Sequence, residues 1–203
     1  MTQPPFRLGL TGSIGMGKST TARMFMDAGI PVWDADAAVH RLYAPGGGGA
    51  DALREHFPDV VQDDGSVSRA RLRSIVAQDP QALQRLESAI HPLLAADRAA
   101  FARTSAQAGS DLIVFDIPLL FETGLDREMD SVLVVTTSAE AQRARVLATR
   151  DISEADLDAL LARQMPDAQK RRGADFVIET HTLEQTGKAV NALIDHIREL
   201  RNA

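Results

Sequence analysis

An α/β fold built on a mostly parallel sheet is what this sequence predicts, and three observations carry it. Five short β-rich runs, at 6–11, 30–33, 112–116, 131–136 and 175–178, alternate with helical stretches, which is the pattern of βαβ crossovers. Two of them, Leu112-Ile113-Val114-Phe115 and Val132-Leu133-Val134-Val135, are apolar without alternation, as strands covered on both faces are. A glycine-rich turn from Gly12 to Ser19 separates the first strand from the helix that follows it.

The elements follow in chain order. Phe6-Arg7-Leu8-Gly9-Leu10 is a short buried strand running into Gly12-Ser13-Ile14-Gly15-Met16-Gly17-Lys18-Ser19, a complete G-x-x-x-x-G-K-[ST] loop. Thr20 and the residues after it open a helix. The glycines let backbone N–H groups converge on a polyphosphate, and the helix N-terminus adds partial positive charge. Lys18 reaches the β and γ phosphates in such a loop, and the Ser19 hydroxyl ligates Mg²⁺. Residues Gly12, Ser13, Ile14, Gly15, Met16, Gly17, Lys18, Ser19 and Thr20 are therefore expected to bind a nucleoside triphosphate.

Between the second and third strands lies a helix-rich stretch, roughly 37–108, too long for one crossover helix of about 10–15 residues. Within it Leu83, Leu86, Ile90, Leu93 and Leu94 recur at helical spacing, predicting an amphipathic helix interrupted or bent near Pro92. Pro45 followed by Gly46 through Gly49 reads as a flexible joint. A second insert, roughly 138–172, reads as two helices opened by capping boxes, Thr137-x-x-Glu140 and Ser153-x-x-Asp156. It is locally basic, with Arg143, Arg145, Arg150, Arg163, Lys170, Arg171 and Arg172 in an otherwise acidic protein.

Composition narrows the chemistry. A chain of 203 residues suits a single α/β domain with insertions, and its net charge of −6 argues against a nucleic-acid surface. The absence of cysteine excludes thiol catalysis and disulfides, and the five histidines form no H-E-x-x-H pair for zinc. No signal-peptide pattern and no bilayer-length apolar run is present, so a soluble, cytoplasmic protein without membrane partners is expected.

Several polar groups stand where chemistry would need them. Asp34 and Asp36 follow the second strand, whose C-terminal end faces the ligand crevice of open α/β sheets. Asp36 is the better base for an attacking hydroxyl, with capping of the next helix as its equally weighted alternative. Asp116 ends the third strand, where an aspartate holds Mg²⁺ directly or through water; the alternative is a turn-forming acid. Glu122 is a weaker second polar group on the same rim. Arg145 and Arg150 either compensate the charge of a moving phosphoryl group or line a solvated helix face. His91 is either a ligand contact or a structural histidine on an apolar helix.

Competing classes fail on specific residues. A regulatory GTPase needs D-x-x-G and N-K-x-D, and neither occurs. The loop is not G-x-G-x-x-G, and no G-x-S-x-G elbow exists, so dehydrogenase and serine-hydrolase readings lack support. A compact kinase for a small molecule remains.

At this point the chain resembles the dephospho-CoA kinase family. The match runs through Gly9–Ser19, Val32-Trp33-Asp34-Ala35-Asp36, Asp64-Gly65, Arg69, Ile90-His91-Pro92 and Asp116-Ile117-Pro118-Leu119-Leu120-Phe121-Glu122. It continues through Gln142, Arg145-Val146, Arg150-Asp151, Arg163-Gln164-Met165 and Ala174–Ile178, covering nearly the whole chain in order. Ser13 stands where the family usually has glycine, Met16 where serine is common, and Glu179-Thr180-His181-Thr182 where Asn and Gly often follow. The resemblance implies a P-loop NTPase fold like that of nucleoside monophosphate kinases, a five-stranded parallel sheet with a helical acceptor-binding insert and a lid. It implies ATP and Mg²⁺ as cofactors, and phosphorylation of the ribose 3′-hydroxyl of dephospho-CoA to give coenzyme A and ADP. Asp36 would be the base, Lys18 with Arg145 or Arg150 would serve the phosphoryl group, and Ser19 with Asp116 the metal. Asp36, His91, Asp116 and Leu119 would meet the acceptor. The oligomeric state is left open, and a monomer is compatible with this reading. The runner-up is a kinase of the same architecture acting on a nucleoside or nucleoside monophosphate.

Overall fold

The computed structural model describes residues 3–202 and divides into two compact units, one made of the residues up to Trp33 together with Ser105 onward, the other of Asp34–Thr104. In the first unit β1 (Phe6–Thr11) is central, pairing in parallel with β3 (Leu112–Asp116) on one side and β4 (Ser131–Thr136) on the other. β5 (Phe176–Glu179) adds to β4 in parallel, and β2 (Val32–Asp34) lies beside β3, giving the order β2-β3-β1-β4-β5. The expected five-stranded parallel sheet is therefore present.

The apolar runs become strands because both of their faces are covered. Leu8, Leu10, Leu112, Val114, Leu133 and Val135 pack with Ala22 and Phe25 of α1 (Lys18–Asp27) and with Val190, Ile194 and Ile197 of α9 (Leu183–Asn202). The alternate residues Ile113, Phe115, Val132 and Val134 are buried as well. With aromatic residues scarce, aliphatic side chains dominate this core, and Phe25 and Phe115 are its largest fully buried members.

The second unit carries α2 (Ala35–Tyr43), α3 (Gly49–Leu53), a 3₁₀ turn at Pro58–Val60, α4 (Arg69–Gln78) and most of α5 (Pro80–Gln107). Tyr43, Leu53, Phe57, Val60, Leu72 and Ile90 form its own core. Two expectations are corrected here. Of the interruption or bend expected near Pro92, the interruption does not occur: α5 runs on through it, with Leu86, Ile90, Leu93 and Leu94 packed against that core. Leu83, placed on the same apolar stripe by spacing, is 47% exposed. In the glycine run after Pro45, a Cβ at Gly47 would strike the Arg41 carbonyl and one at Gly49 the Leu42 carbonyl, whereas Gly46 and Gly48 have open space around them.

The 138–172 segment holds three helices where two were expected: α6 (Ala139–Thr149), α7 (Glu154–Ala162) and α8 (Asp167–Arg172). The Ser153–Asp156 capping box forms in both directions. The α6 cap is Ser138 and not Thr137, whose N–H is spent on Met16 Sδ and whose hydroxyl is spent on the Thr180 carbonyl. Among the described residues no helix is long and apolar enough to cross a membrane.

Candidate active site

The glycine-rich loop leaves β1 and turns into α1 at Gly17, which takes φ 90° and ψ 13°, a left-handed conformation that costs an L side chain steric strain. A Cβ there would also meet the Thr180 side chain at 3.1 Å. No side chain caps α1, so the first N–H groups of that helix are left for an anion. Ser19 and Thr20, on the first turn, are exposed to solvent, whereas Ser13 and Met16 are buried. Met16 packs into the main core and accepts the Thr137 N–H through Sδ at 3.2 Å.

Lys18 Nζ lies 2.5 Å from Asp116 Oδ1, with the lysine side chain 15% exposed and the aspartate 3%. A carboxylate this buried needs a compensating charge, and the loop lysine supplies it. Asp116 thus reaches the phosphate loop from the end of β3, the strand paired with β1.

On the other flank of the loop, Thr180 ties four segments together. Its hydroxyl lies 2.9 Å from the Met16 carbonyl and 3.2 Å from that of Thr136, and it accepts Arg145 Nη1 at 2.9 Å. Arg145 Nη2 donates to the Thr180 carbonyl at 2.5 Å. Gly17, Thr20, Arg145, Thr180, Leu183 and Thr186 line a concavity of about 280 Å³ beside the helix N-terminus. Arg145 is therefore held by this concavity, while Arg150 is the exposed C-cap residue of α6.

Behind the loop, Lys170 is fully buried and pairs with Glu122 Oε1 at 2.9 Å, while also donating to the Pro118 carbonyl at 3.3 Å. Burial pushes the Glu122 carboxyl up, but the Lys170 ammonium and the Met165 N–H pull harder, and the net effect holds it below its ordinary value. Leu119, in the same turn, is 42% exposed.

Asp36 and His91 belong to the second unit, and both are exposed. Asp34, not Asp36, caps α2 by accepting the Ala37 N–H at 2.9 Å. The alternative that Asp36 is merely the cap is thereby removed. His91 sits on the outer side of α5.

The structure thus brings Lys18, Asp116 and the Gly12–Thr20 loop together and sets Arg145 beside them. Sequence reasoning missed Thr180, because a threonine among polar residues after a strand carries no periodic or charge signal. It also missed the structural weight of Gln142, Gln164 and Lys170, whose partners lie far along the chain.

The class defined by this fold and loop is a P-loop phosphotransferase: a parallel sheet, an uncapped helix start behind G-x-x-x-x-G-K-S, and an aspartate-paired lysine. The family model for dephospho-CoA kinase matches residues 6–185. A dephospho-CoA kinase of Cereibacter sphaeroides is 55% identical over 199 residues, which cover 98% of this chain and 99% of that protein. A crystal structure of a Thermus thermophilus protein superposes with a TM-score of 0.81 at 32% identity, covering 96% of this chain and 98% of that one. A dephospho-CoA kinase from Campylobacter jejuni shares the fold, with a TM-score of 0.71 at 23% identity over 96% of this chain and 98% of that one. The chain belongs to the dephospho-CoA kinase family.

Proposed function

We infer that this protein transfers the γ-phosphoryl group of ATP to the ribose 3′-hydroxyl of dephospho-CoA, giving coenzyme A and ADP, the last step of coenzyme A synthesis. The observation that carries the reading is the Lys18–Asp116 pair set in a glycine-rich loop ahead of an uncapped helix, in a chain of this family. The loop amides from Gly12 to Thr20 bind the phosphates, and Lys18 moves its charge from Asp116 toward the β and γ oxygens as they arrive. The adenine ring of ATP lies in the concavity beside Gly17, where the Arg145 guanidinium, steadied by Thr180, offers a flat cationic face.

The donors present suit Mg²⁺. Ser19 is exposed at the helix start, and Asp116 supplies a hard carboxylate beside the loop. No cluster of three or more metal-binding side chains occurs among the described residues, which fits an ion held by one or two protein oxygens and by phosphate. When bound, the ion neutralises phosphate charge and orients the transferring group.

Asp36 accepts the hydroxyl proton: it is exposed in the first turn of α2, and the capping duty there falls to Asp34. Arg150 is the arginine available to steady the moving phosphoryl, since Arg145 is engaged by Thr180. His91 and Leu119, both exposed, meet the acceptor. The Asp34–Thr104 unit serves as acceptor insert and the 138–172 segment as lid, excluding water that would otherwise take the phosphoryl. A cytoplasmic location goes with this chemistry.

The deciding experiment measures ADP release with dephospho-CoA, adenosine, AMP and other nucleotides as acceptors, and product mass for each. Rapid turnover with dephospho-CoA and a product heavier by one phosphate are expected. Turnover only with adenosine or AMP would transfer the assignment to a nucleoside or nucleotide kinase.

A further inference from the structure

Two glutamines from opposite ends of the 138–172 segment close on one residue of the phosphate loop. Gln142, on α6 and 5% exposed, donates from Nε2 to the Ile14 carbonyl at 2.7 Å. Gln164, in the turn between α7 and α8, accepts the Ile14 N–H through Oε1 at 3.2 Å. Both backbone polar groups of Ile14 are therefore held by side chains roughly 130 and 150 residues away.

Within the loop, the Met16 N–H closes this turn onto the Ser13 carbonyl at 3.1 Å, and both Ile14 groups are left to partners from outside the loop. The next residue, Gly15, has φ 77° and no side chain, so a single backbone hydrogen bond is the turn's own restraint. The site also admits no side chain: a Cβ at Gly15 would lie 2.5 Å from Val146 Cγ2 and 3.1 Å from the Gln142 carbonyl oxygen. A loop that must aim successive N–H groups at phosphate oxygens needs its peptide planes fixed before the phosphates arrive.

Gln164 is itself seated. The N–H of the adjacent Met165 donates to Glu122 Oε1 at 2.9 Å, and that same oxygen pairs with the buried Lys170. Thr11, at the end of β1, and Lys170 both donate to the Pro118 carbonyl, at 3.0 and 3.3 Å. The turn that presents Gln164 is thus anchored to the segment after β3 and, through it, to the strand that feeds the loop.

We propose that Gln142 and Gln164 are positioning residues for phosphoryl transfer: one as donor and one as acceptor, they fix the Ser13–Gly15 turn of the phosphate loop in its productive orientation. The proposal rests on the phosphotransferase reading above. It makes the two positions chemically unequal. Position 142 must donate and position 164 must accept. Gln142→Glu loses the donor and opposes a carboxylate to a carbonyl, whereas Gln164→Glu keeps an acceptor toward the N–H. Both substitutions bring the same negative charge to the same loop residue, so charge alone predicts equal losses.

The test compares Gln142→Glu, Gln164→Glu, Gln142→Met and Gln164→Met with the wild type in the full chain. It measures kcat and KM for ATP with dephospho-CoA, ATP hydrolysis without acceptor, and thermal unfolding. Both Met variants and Gln142→Glu are expected to lose ~10–100-fold in kcat with KM for ATP within about threefold. Gln164→Glu should retain about tenfold more kcat than Gln142→Glu. Equal losses in the two Glu variants, wild-type kcat in both Met variants, or a loss confined to KM would each overturn the proposal. A drop in melting temperature that accounts for the lost activity would do so too, by making the glutamines merely structural. If the wild type hydrolyses ATP but does not use dephospho-CoA, the acceptor assignment fails while the same comparison is read on hydrolysis. Absence of both reactions in the wild type would overturn both.

Discussion

Asp36 and Asp34 are two residues apart and chemically identical, yet they divide between two tasks. Asp34 accepts the Ala37 N–H and caps α2, so its carboxylate is spent on the backbone. Asp36 lies two residues on, in the first turn, exposed, and it is the one proposed to act on the substrate proton. Asp36→Asn keeps the volume and removes the basicity, and should lower kcat by ~10²–10⁴ with little change in folding stability. Near-normal turnover in a steady-state assay would demote it to an orienting group. Arg145 of α6 and Arg150 at its C-cap divide in a similar way. Arg145→Ala removes a group lining the concavity beside Gly17 and should raise KM for ATP more than it lowers kcat. Arg150→Ala should do the reverse, because a charge met mainly in the transition state contributes to kcat. A matched pair of kinetic titrations in ATP reads the split, and identical behaviour of the two variants would refute it.

Elements in this chain are set by partners as much as by propensity. The α5 helix carries Pro92 in its interior, where the ring lacks an N–H and crowds the carbonyl of Ser88. It stays helical because apolar residues on both sides of the proline are buried in the second core. Pro92 itself is exposed, so its removal loses little packing. Pro92→Ala should therefore stabilise the fold by about 1–3 kcal/mol, read as a higher urea midpoint at unchanged m. A lower midpoint would mean that the proline ring contributes contacts that outweigh the lost hydrogen bond. The α7 helix is the opposite case: Ser153 and Asp156 cap it reciprocally, and this start was legible from spacing alone. The start of α6 was misread by one residue, since Thr137 is drawn off to Met16 and Thr180, partners that only the fold brings near.

For the whole molecule, stability in acid depends on the Glu122–Lys170 pair. The Glu122 carboxyl is held below its ordinary value, so its contribution is fully present above the unfolded pKa of about 4.3 and is lost as pH falls through the folded one. Lys170 then remains fully buried, with the Pro118 carbonyl as its remaining hydrogen-bond partner among the described residues. Glu122→Gln should cost about 1–3 kcal/mol at neutral pH, the exposure of the carboxylate moderating the loss. The gap between wild type and variant should narrow below about pH 4 in chemical denaturation series. A gap independent of pH would assign the loss to packing. Because the same pair seats Gln164, the variant should also lose turnover, as is expected of Gln164→Met.

Local chemistry alone determined a large part of this protein. The glycine-rich loop, the continuous apolar strands and the strand-end aspartates are short-range patterns, each legible because neighbouring residues impose it. They were enough for the sheet and the family. Tertiary structure decided the rest: which aspartate caps, that Lys18 rests on Asp116, that Thr180 holds Arg145, and that Gln142 and Gln164 grip Ile14. These are hydrogen bonds and ion pairs between groups made neighbours only by folding, and a polar side chain shows nothing in sequence of the partner it will find.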